Sequence, residues 1–390
     1  MKRRRRHTRT SGSGKLLGTL PVLLHANRLL IGLVFVFSGF VKAVDPLGTV
    51  YKIEDYLTAF DGFWGGLTFM AFPAAFLLIA IELLIGLDLV FQVKFKFSSW
   101  LAFVFMLVMT PLTLYIALYN PVTDCGCFGD ALKISNWMTF YKNVFFFILT
   151  LLLLIFQKKY SKIFLPNVEW GFIIVFFVAS FGFMIYNLTH LPVLDFRPYK
   201  VGVNIPDAMK VPDDAPGDVY EYNFVYEKEG SRKIFSIDQL PDSSWTFVSQ
   251  ETKLISEGYK PPIHDLVILT AEFEDVTEEV LNYEGTTYLI VMYDLQKTSE
   301  KGIEKVKGFV AYKLNEHPEV KVYALTASST QDIQEFKTKY GITFPFYKTD
   351  PITLKTMIRA NPGVMKLVDG TVKGKWNGKR LSNIKYQTKK

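Results

Sequence analysis

Apolar residues are distributed unevenly along this chain. Between Val22 and His190 they run almost without interruption, whereas from residue 191 onward they alternate with charged and turn-forming residues. A hydrocarbon core of about 30 Å requires about 20 mostly apolar helical residues. Five windows reach that length: 22–44, 67–93, 100–119, 138–156 and 170–188. They are apolar nearly all round rather than striped on one face, so the pattern predicts membrane helices and not a soluble amphipathic bundle. Past the last window, 191–199 reads as an extended leader containing Pro192 and Pro198. From 201 to 286 the pattern is mostly strand-like. Tyr220, Tyr222, Phe224 and Tyr226 alternate at period two, Glu229-Gly230-Ser231 supplies a turn, and 245–248 is a further short strand. The final hundred residues change rhythm: strand 288–293, helix 299–315, strand 321–326, helices 330–340 and 352–360. Strands 364–368 and 371–376 then form a hairpin around Asp369-Gly370. That alternation predicts an α/β module with a mixed sheet.

The predicted architecture is therefore multi-domain. A basic tail (1–21) precedes a four-helix transmembrane domain (22–156), then a loop and a fifth, anchoring helix (157–190). A β-rich segment (191–286), an α/β domain (287–380) and a short tail (381–390) follow.

Composition agrees with two solvents for two halves. The 390 residues are 49% hydrophobic and 15% aromatic, with a positive mean hydropathy, and the excess lies before residue 191. The net charge of +7 does not point to nucleic acid, because its clusters open the chain at Lys2 and Arg3 to Arg6 and close it at Lys389-Lys390. They do not form a basic face interleaved with aromatics. Basic residues in the tail, at Lys94 and Lys96, and at Lys158, Lys159 and Lys162 alternate with acidic loops. Those acidic loops carry Asp45, Glu54, Asp55 and Asp61, then Asp124 and Asp130. The positive-inside rule then places the N-terminus in the cytoplasm of an inner membrane and the C-terminal domain in the periplasm. Leu29 to Val41 runs on without a small-residue cleavage site, so the first span is expected to remain as an anchor in the bilayer.

The chain has two cysteines, Cys125 and Cys127, in Asp124-Cys125-Gly126-Cys127-Phe128-Gly129-Asp130. They fall in the third loop, on the predicted oxidising side, where thiols form disulfides. Gly126 between them permits a tight backbone. A ring so small is expected to be strained and, if exposed, labile. A redox pair, a static staple and half of a metal site are three readings of the same loop. The five histidines do not cluster near it, so no metal site is assigned. Asp124 and Asp130 are expected to raise the thiol pKa, which counts against a reactive thiolate.

Charged residues inside the spans form a second constellation. Arg28 lies roughly 9 Å inside the first span from its cytoplasmic end, and Asp88 and Glu82 roughly 5 and 14 Å inside the second. An interior pair or triad of Arg28, Glu82 and Asp88 is feasible, with snorkelling of Arg28 and Asp88 to the interface as the alternative. Glu82 is too central and too short to snorkel and is the better functional carboxylate. Lys42, at the outer end of the first span, is expected to snorkel outward, and Trp64 and Trp100 suit interfacial belts.

Ser38-Gly39-Phe40-Val41-Lys42, then Asp45-Pro46-Leu47-Gly48-Thr49 and Lys52-Ile53-Glu54-Asp55-Tyr56-Leu57, with Arg28 and Glu82, resemble the DoxX family of membrane proteins. Cys125-Gly126-Cys127-Phe128-Gly129 resembles the loop of its MauE-type branch. The resemblance spans 27–156 and implies thiol-disulfide or electron-transfer chemistry at the membrane, with a quinone as the acceptor it suggests. The end of the chain resembles the thioredoxin-like superfamily in its periplasmic TlpA-type form. Ala360-Asn361-Pro362-Gly363-Val364 is similar to the cis-proline loop that faces the redox motif there, which makes Asn361 and Pro362 candidate binding residues. Where that family carries Cys-x-x-Cys, this chain reads Asp294-Leu295-Gln296-Lys297-Thr298-Ser299, and no cysteine follows Cys127. His264 beside Asp265 is read as structural. Two functions stay open. One is a redox protein that cycles Cys125 and Cys127 against a periplasmic thiol protein. The other is a non-enzymatic membrane scaffold for an envelope complex. Five spans without internal repeats fit a transporter poorly.

Overall fold

A computed structural model describes residues 13–60, 65–122, 125–256 and 258–381. The chain divides into two units, Met1–Arg197 and Pro198–Lys390. The expected basic tail as far as residue 12, Asp61, Trp64, Asp124 and the tail from 382 lie outside the described residues.

The first unit is helical: α1 (Ser13–Val44), α2 (Pro46–Ala59), α3 (Ala71–Phe91), α4 (Phe95–Tyr119), α5 (Asn136–Phe156) and α6 (Pro166–His190). Among the described residues, five helices are long and apolar enough to cross a membrane: Pro21–Val44, Gly65–Phe91, Phe95–Tyr119, Asn136–Lys159 and Pro166–His190. The chain is a multi-pass membrane protein. One stretch read as loop is instead α2. Its start signals are local: Pro46 occupies the first turn and the Asp45 carboxylate accepts from the Gly48 amide at 3.1 Å. Its inner face packs Val50 on Ala71 and Ala75, which gives a short, only moderately apolar helix something to bury against.

Small residues bring α1 and α3 together. A Cβ built on Gly86 would stand 2.5 Å from the Val36 amide nitrogen, so the two backbones can meet only if this position has no side chain. Around that contact Ile31, Phe35, Ile85 and Leu89 pack with Phe95, Ala102 and Met106 of α4 and Leu153 of α5. Helix α6, the fifth apolar helix, packs on this bundle. Met184, with Phe181 and Phe183, packs on Ala43, Phe76, Ile79 and Leu83, and the Asn187 amide donates to the Ala43 carbonyl at 3.2 Å.

The second unit holds two sheets. Strands β1 (Val219–Lys228), β2 (Ser231–Ser236) and β3 (Thr246–Ser256) form an antiparallel sheet in the order β2-β1-β3. β3 is exposed along its whole length. The rest is the α/β layer: β4 (Thr286–Val291), α9 (Glu300–Glu316), β5 (Lys321–Thr326), α10 (Thr330–Tyr340), β6 (Phe346–Lys348), α11 (Pro351–Met357), β7 (Gly363–Val368) and β8 (Thr371–Asn377). Two one-turn helices, α7 (Ile205–Met209) and α8 (Thr277–Leu281), precede it. The sheet order is β6-β5-β4-β7-β8, with β4, β5 and β6 parallel and β7 and β8 antiparallel. Side-chain alternation on β4 sends Tyr288 and Ile290, and Met292 just past its end, into one core with Ile303, Val306, Val310 and Phe336. This is an α/β fold built on a mixed five-stranded sheet. Within 191–286 only 219–256 forms the separate sheet. Residues 202–205 instead pair along the β8 edge, through Gly202 to Val372 at 2.8 Å and Ile205 to Gly370 at 2.9 Å. Leu269 likewise pairs with Lys348 of β6. Pro206, Pro212, Pro216, Pro261 and Pro262 remove backbone donors from the flanks, so a continuous strand pattern there has no ladder to join.

Candidate functional site

Cys125 and Cys127 form a disulfide, with Cα atoms 5.4 Å apart and Gly126 between them at φ +63°. The loop is not exposed, contrary to what a loop between spans suggests. Cys125 and Cys127 are 8% and 9% accessible and pack with Ile116, beside Tyr56, Met109, Leu112 and Val122. Three helices hold its backbone and sulfur. The Tyr56 hydroxyl donates to the Cys125 carbonyl at 2.7 Å, and the Ser38 hydroxyl donates to the Cys127 carbonyl at 2.8 Å. The Cys125 sulfur lies 3.7 Å from the Thr139 hydroxyl. The aliphatic stem of Lys52 covers Gly126, where an added Cβ would stand 2.9 Å from its Cγ.

Beneath the loop lies a buried ion pair. Lys42 Nζ is 2.7 and 2.8 Å from the two Glu82 carboxylate oxygens and 2.9 Å from Ser38 Oγ. Ser38 Oγ is also 3.2 Å from Glu82 Oε2, so one hydroxyl links the pair to the cystine loop. Lys42 therefore does not snorkel outward. It lies four residues after Ser38, on the same face of α1, and that face meets Glu82. Cys127, Phe128, Lys42, Glu82 and Ser38 line a small cleft of about 50 Å³, walled by Phe35, Phe105, Met106, Met109 and Phe146. Lys142 and Asn143 of α5 complete it. The Lys142 ammonium lies 4.3 Å from the Phe128 ring centroid.

The Arg28, Glu82 and Asp88 triad is not formed. Arg28 Nη1 donates to the Leu89 carbonyl and, at 2.8 Å, to that of Val90. These belong to the last turn of α3, where carbonyls lack intrahelical donors and a cation is favoured. Asp88 instead accepts from the Ser98 hydroxyl at 2.9 Å. The antiparallel register set at Gly86 explains the exchange of partners: it brings residues near 40, not Arg28, opposite Glu82. Lys142 was missed because four turns of phenylalanine and leucine following it dominate the window. A lysine inside an apolar span was the available signal. Asp130 lies 3.9 Å from Lys133.

In the second unit Asn361-Pro362 is a cis peptide. Asn361 Nδ2 donates to the Asp294 carbonyl at 2.7 Å, and the Thr298 hydroxyl is 3.0 Å from Asn361 Oδ1. Gln296 Nε2 reaches Asp332 Oδ1 at 3.2 Å. The Ser329 hydroxyl, and after it the Gln296 amide, hold the Asp332 carboxyl below the usual carboxylate range. The segment facing the cis-proline is thus tied down by its own polar side chains. His264 Nδ1 lies 3.1 Å from the Pro261 carbonyl and joins no such network.

The fold and the site define a multi-pass helical domain that carries a buried cystine loop, followed in the chain by an α/β domain with a mixed five-stranded sheet. Residues 20–156 match the family described as Methylamine utilisation protein MauE. Residues 220–257, the three-stranded sheet, match a domain of unknown function, DUF8463. Among solved structures, the chain is similar to the crystal structure of StoA from Bacillus subtilis. The two are 17% identical with a TM-score of 0.25, over 32% of this chain and 95% of that one. No curated protein matches the chain.

Proposed function

We propose that this chain is a membrane thiol-disulfide redox protein in which Cys125 and Cys127 cycle between disulfide and dithiol at the periplasmic face. The observation that carries the reading is the suspension of the cystine over the buried Lys42–Glu82 pair through Ser38. A buried ion pair is a poor stabiliser compared with apolar packing, so its presence under the chain's two cysteines favours a chemical role. The MauE match over 20–156 and the DoxX-type motifs support the same class.

The proposed cycle balances with two partners. A thiolate of a periplasmic dithiol protein attacks one sulfur of the cystine, forming a mixed disulfide and releasing the other sulfur. The partner's second thiolate resolves the mixed bond, leaving the partner oxidised and this chain with two thiols. Two electrons and two protons then pass to a membrane quinone, which becomes quinol as the disulfide reforms. The soluble unit has no cysteine and takes the part of a docking module for the dithiol partner.

The alternation of basic and acidic loops supports an inner-membrane orientation with the N-terminus inside. The test is the redox state of Cys125 and Cys127 in intact cells, read by alkylating free thiols before and after graded reduction. A pair that opens under mild reductant, together with a Cys125→Ser form that traps a mixed disulfide, supports the cycle. A pair that stays oxidised throughout, and that serines replace without phenotype, leaves the scaffold reading in its place.

A further inference from the structure

The cleft below Cys127 carries more positive charge than its one carboxylate balances. Lys42 and Lys142 face it with Glu82, and both Glu82 oxygens are already within 2.8 Å of Lys42. Among the described residues Lys142 makes no hydrogen bond or ion pair; its ammonium lies against the Phe128 ring and feels Glu82 and Lys42 only through longer-range charge. An ammonium set among aromatic side chains in a membrane bundle is costly unless something anionic meets it. Among the described residues the acidic group that shares the cleft is Glu82, and its carboxylate is engaged by Lys42. Helix α4 contributes Phe105, Met106 and Met109 to the cleft, α3 contributes Glu82, and α1 contributes Ser38 and Lys42. Around the loop, Lys52 lies over Gly126, Tyr56 bonds the Cys125 carbonyl, and Asp130 faces Lys133. Of the two cysteines, Cys127 lines the cleft, while Cys125 points its sulfur toward Thr139.

We propose that Lys142 is the cation that receives Cys127 as a thiolate once the disulfide opens, so that the cleft is an anion site built for a sulfur. The inference rests on the redox reading for its biological use but not for its chemistry. When a small dithiol opens the bond, it gives two electrons and becomes a cyclic disulfide. One of its protons goes to Cys125 and the other to solvent, and Cys127 remains as the anion. Lys142 acts through charge and is a positioning residue. It also offsets the acidic loop residues that, from sequence, weighed against a reactive thiolate.

The test uses the full-length protein in lipid nanodiscs, reduced with dithiothreitol and freed of it. Alkylation by iodoacetamide is followed against pH, and the first-modified cysteine is identified by mass spectrometry. Wild-type protein is expected to react first at Cys127, with a profile displaced to low pH. Lys142→Met is expected to lower the Cys127 rate at pH 7 roughly ten-fold and to move the profile upward, and Lys142→Arg to stay within about two-fold of wild type. If Lys142→Met fails to fold, Lys142→Gln replaces it, with helical circular dichroism as the check. Equal pH profiles for folded Lys142→Gln or Lys142→Met and wild type overturn the proposal, as does first reaction at Cys125. A Lys142-dependent Cys127 thiolate in a chain whose cysteines never cycle in cells would sink the redox reading and leave this one standing. Cycling without that dependence would do the reverse.

Discussion

The Ser38 hydroxyl stands 2.8 Å from the Cys127 carbonyl oxygen, so the cystine loop is fastened to the first membrane helix. The same hydroxyl is 2.9 Å from the Lys42 ammonium, and through it loop and ion pair form one polar unit inside an apolar bundle. Polar groups in such surroundings are stable only when each has a partner, so removing one member strands the next.

Lys42→Met leaves the Glu82 carboxylate buried without its cation. The expected cost is about 3–5 kcal/mol, and the double variant Lys42→Met, Glu82→Leu should recover most of it. Thermal unfolding in nanodiscs measures both. A double variant no more stable than the single one would mean that the stranded Glu82 carboxylate is not the source of the loss.

Gly86→Val forces a side chain against the Val36 backbone and pushes α1 from α3. Overpacking of this kind costs about 1–3 kcal/mol. Cross-linking between cysteines placed on α1 and α3, in a form with serines at 125 and 127, should weaken with it. Unchanged cross-linking would show that the close approach is not required.

Asn361→Ala removes two hydrogen bonds that tie the cis-proline loop to Asp294 and Thr298. With part-buried partners left behind, the expected loss is about 1–3 kcal/mol. Faster hydrogen exchange in the first turn of α9 would locate it, and an unchanged rate would count against the network.

The capping box of α10 gives a pH dependence with a definite sign. Asp332 is held below its usual range, first by the Ser329 hydroxyl and then by the Gln296 amide. A carboxyl lowered on folding contributes stability that is fully present above its unfolded pKa and is lost as pH falls through the folded value. Protection of the α10 amides, corrected for intrinsic exchange, should therefore fall on acidification. Asp332→Asn should flatten that fall. Because Asp332 is exposed, added salt should shrink the effect.

Much of this arrangement was legible along the chain because it is governed by local rules. Span length and hydropathy identify the membrane helices. Period-two alternation marks Tyr220 to Tyr226, and Asp369-Gly370 supplies the two positive-φ residues that a tight hairpin needs. Even the missed helix α2 carried its signal in Asp45 and Pro46. The two cysteines, two residues apart with glycine between, marked the loop that the structure closes as a disulfide.

By itself, then, the sequence determined the elements, the change of solvent near residue 190 and the loop that carries the sulfur, since each depends on neighbours along the chain. Which charges meet was decided only in three dimensions. Depth along a span is a one-dimensional measure, and by it Arg28 was a feasible partner for Glu82 and Asp88. The actual partner depends on how α1 and α3 are rotated and how closely they approach, and both are set at Gly86 by sterics between residues about fifty positions apart. The same packing turned Lys42 inward, brought Lys142 beside Phe128, and buried a cystine whose exposure loop position alone left open.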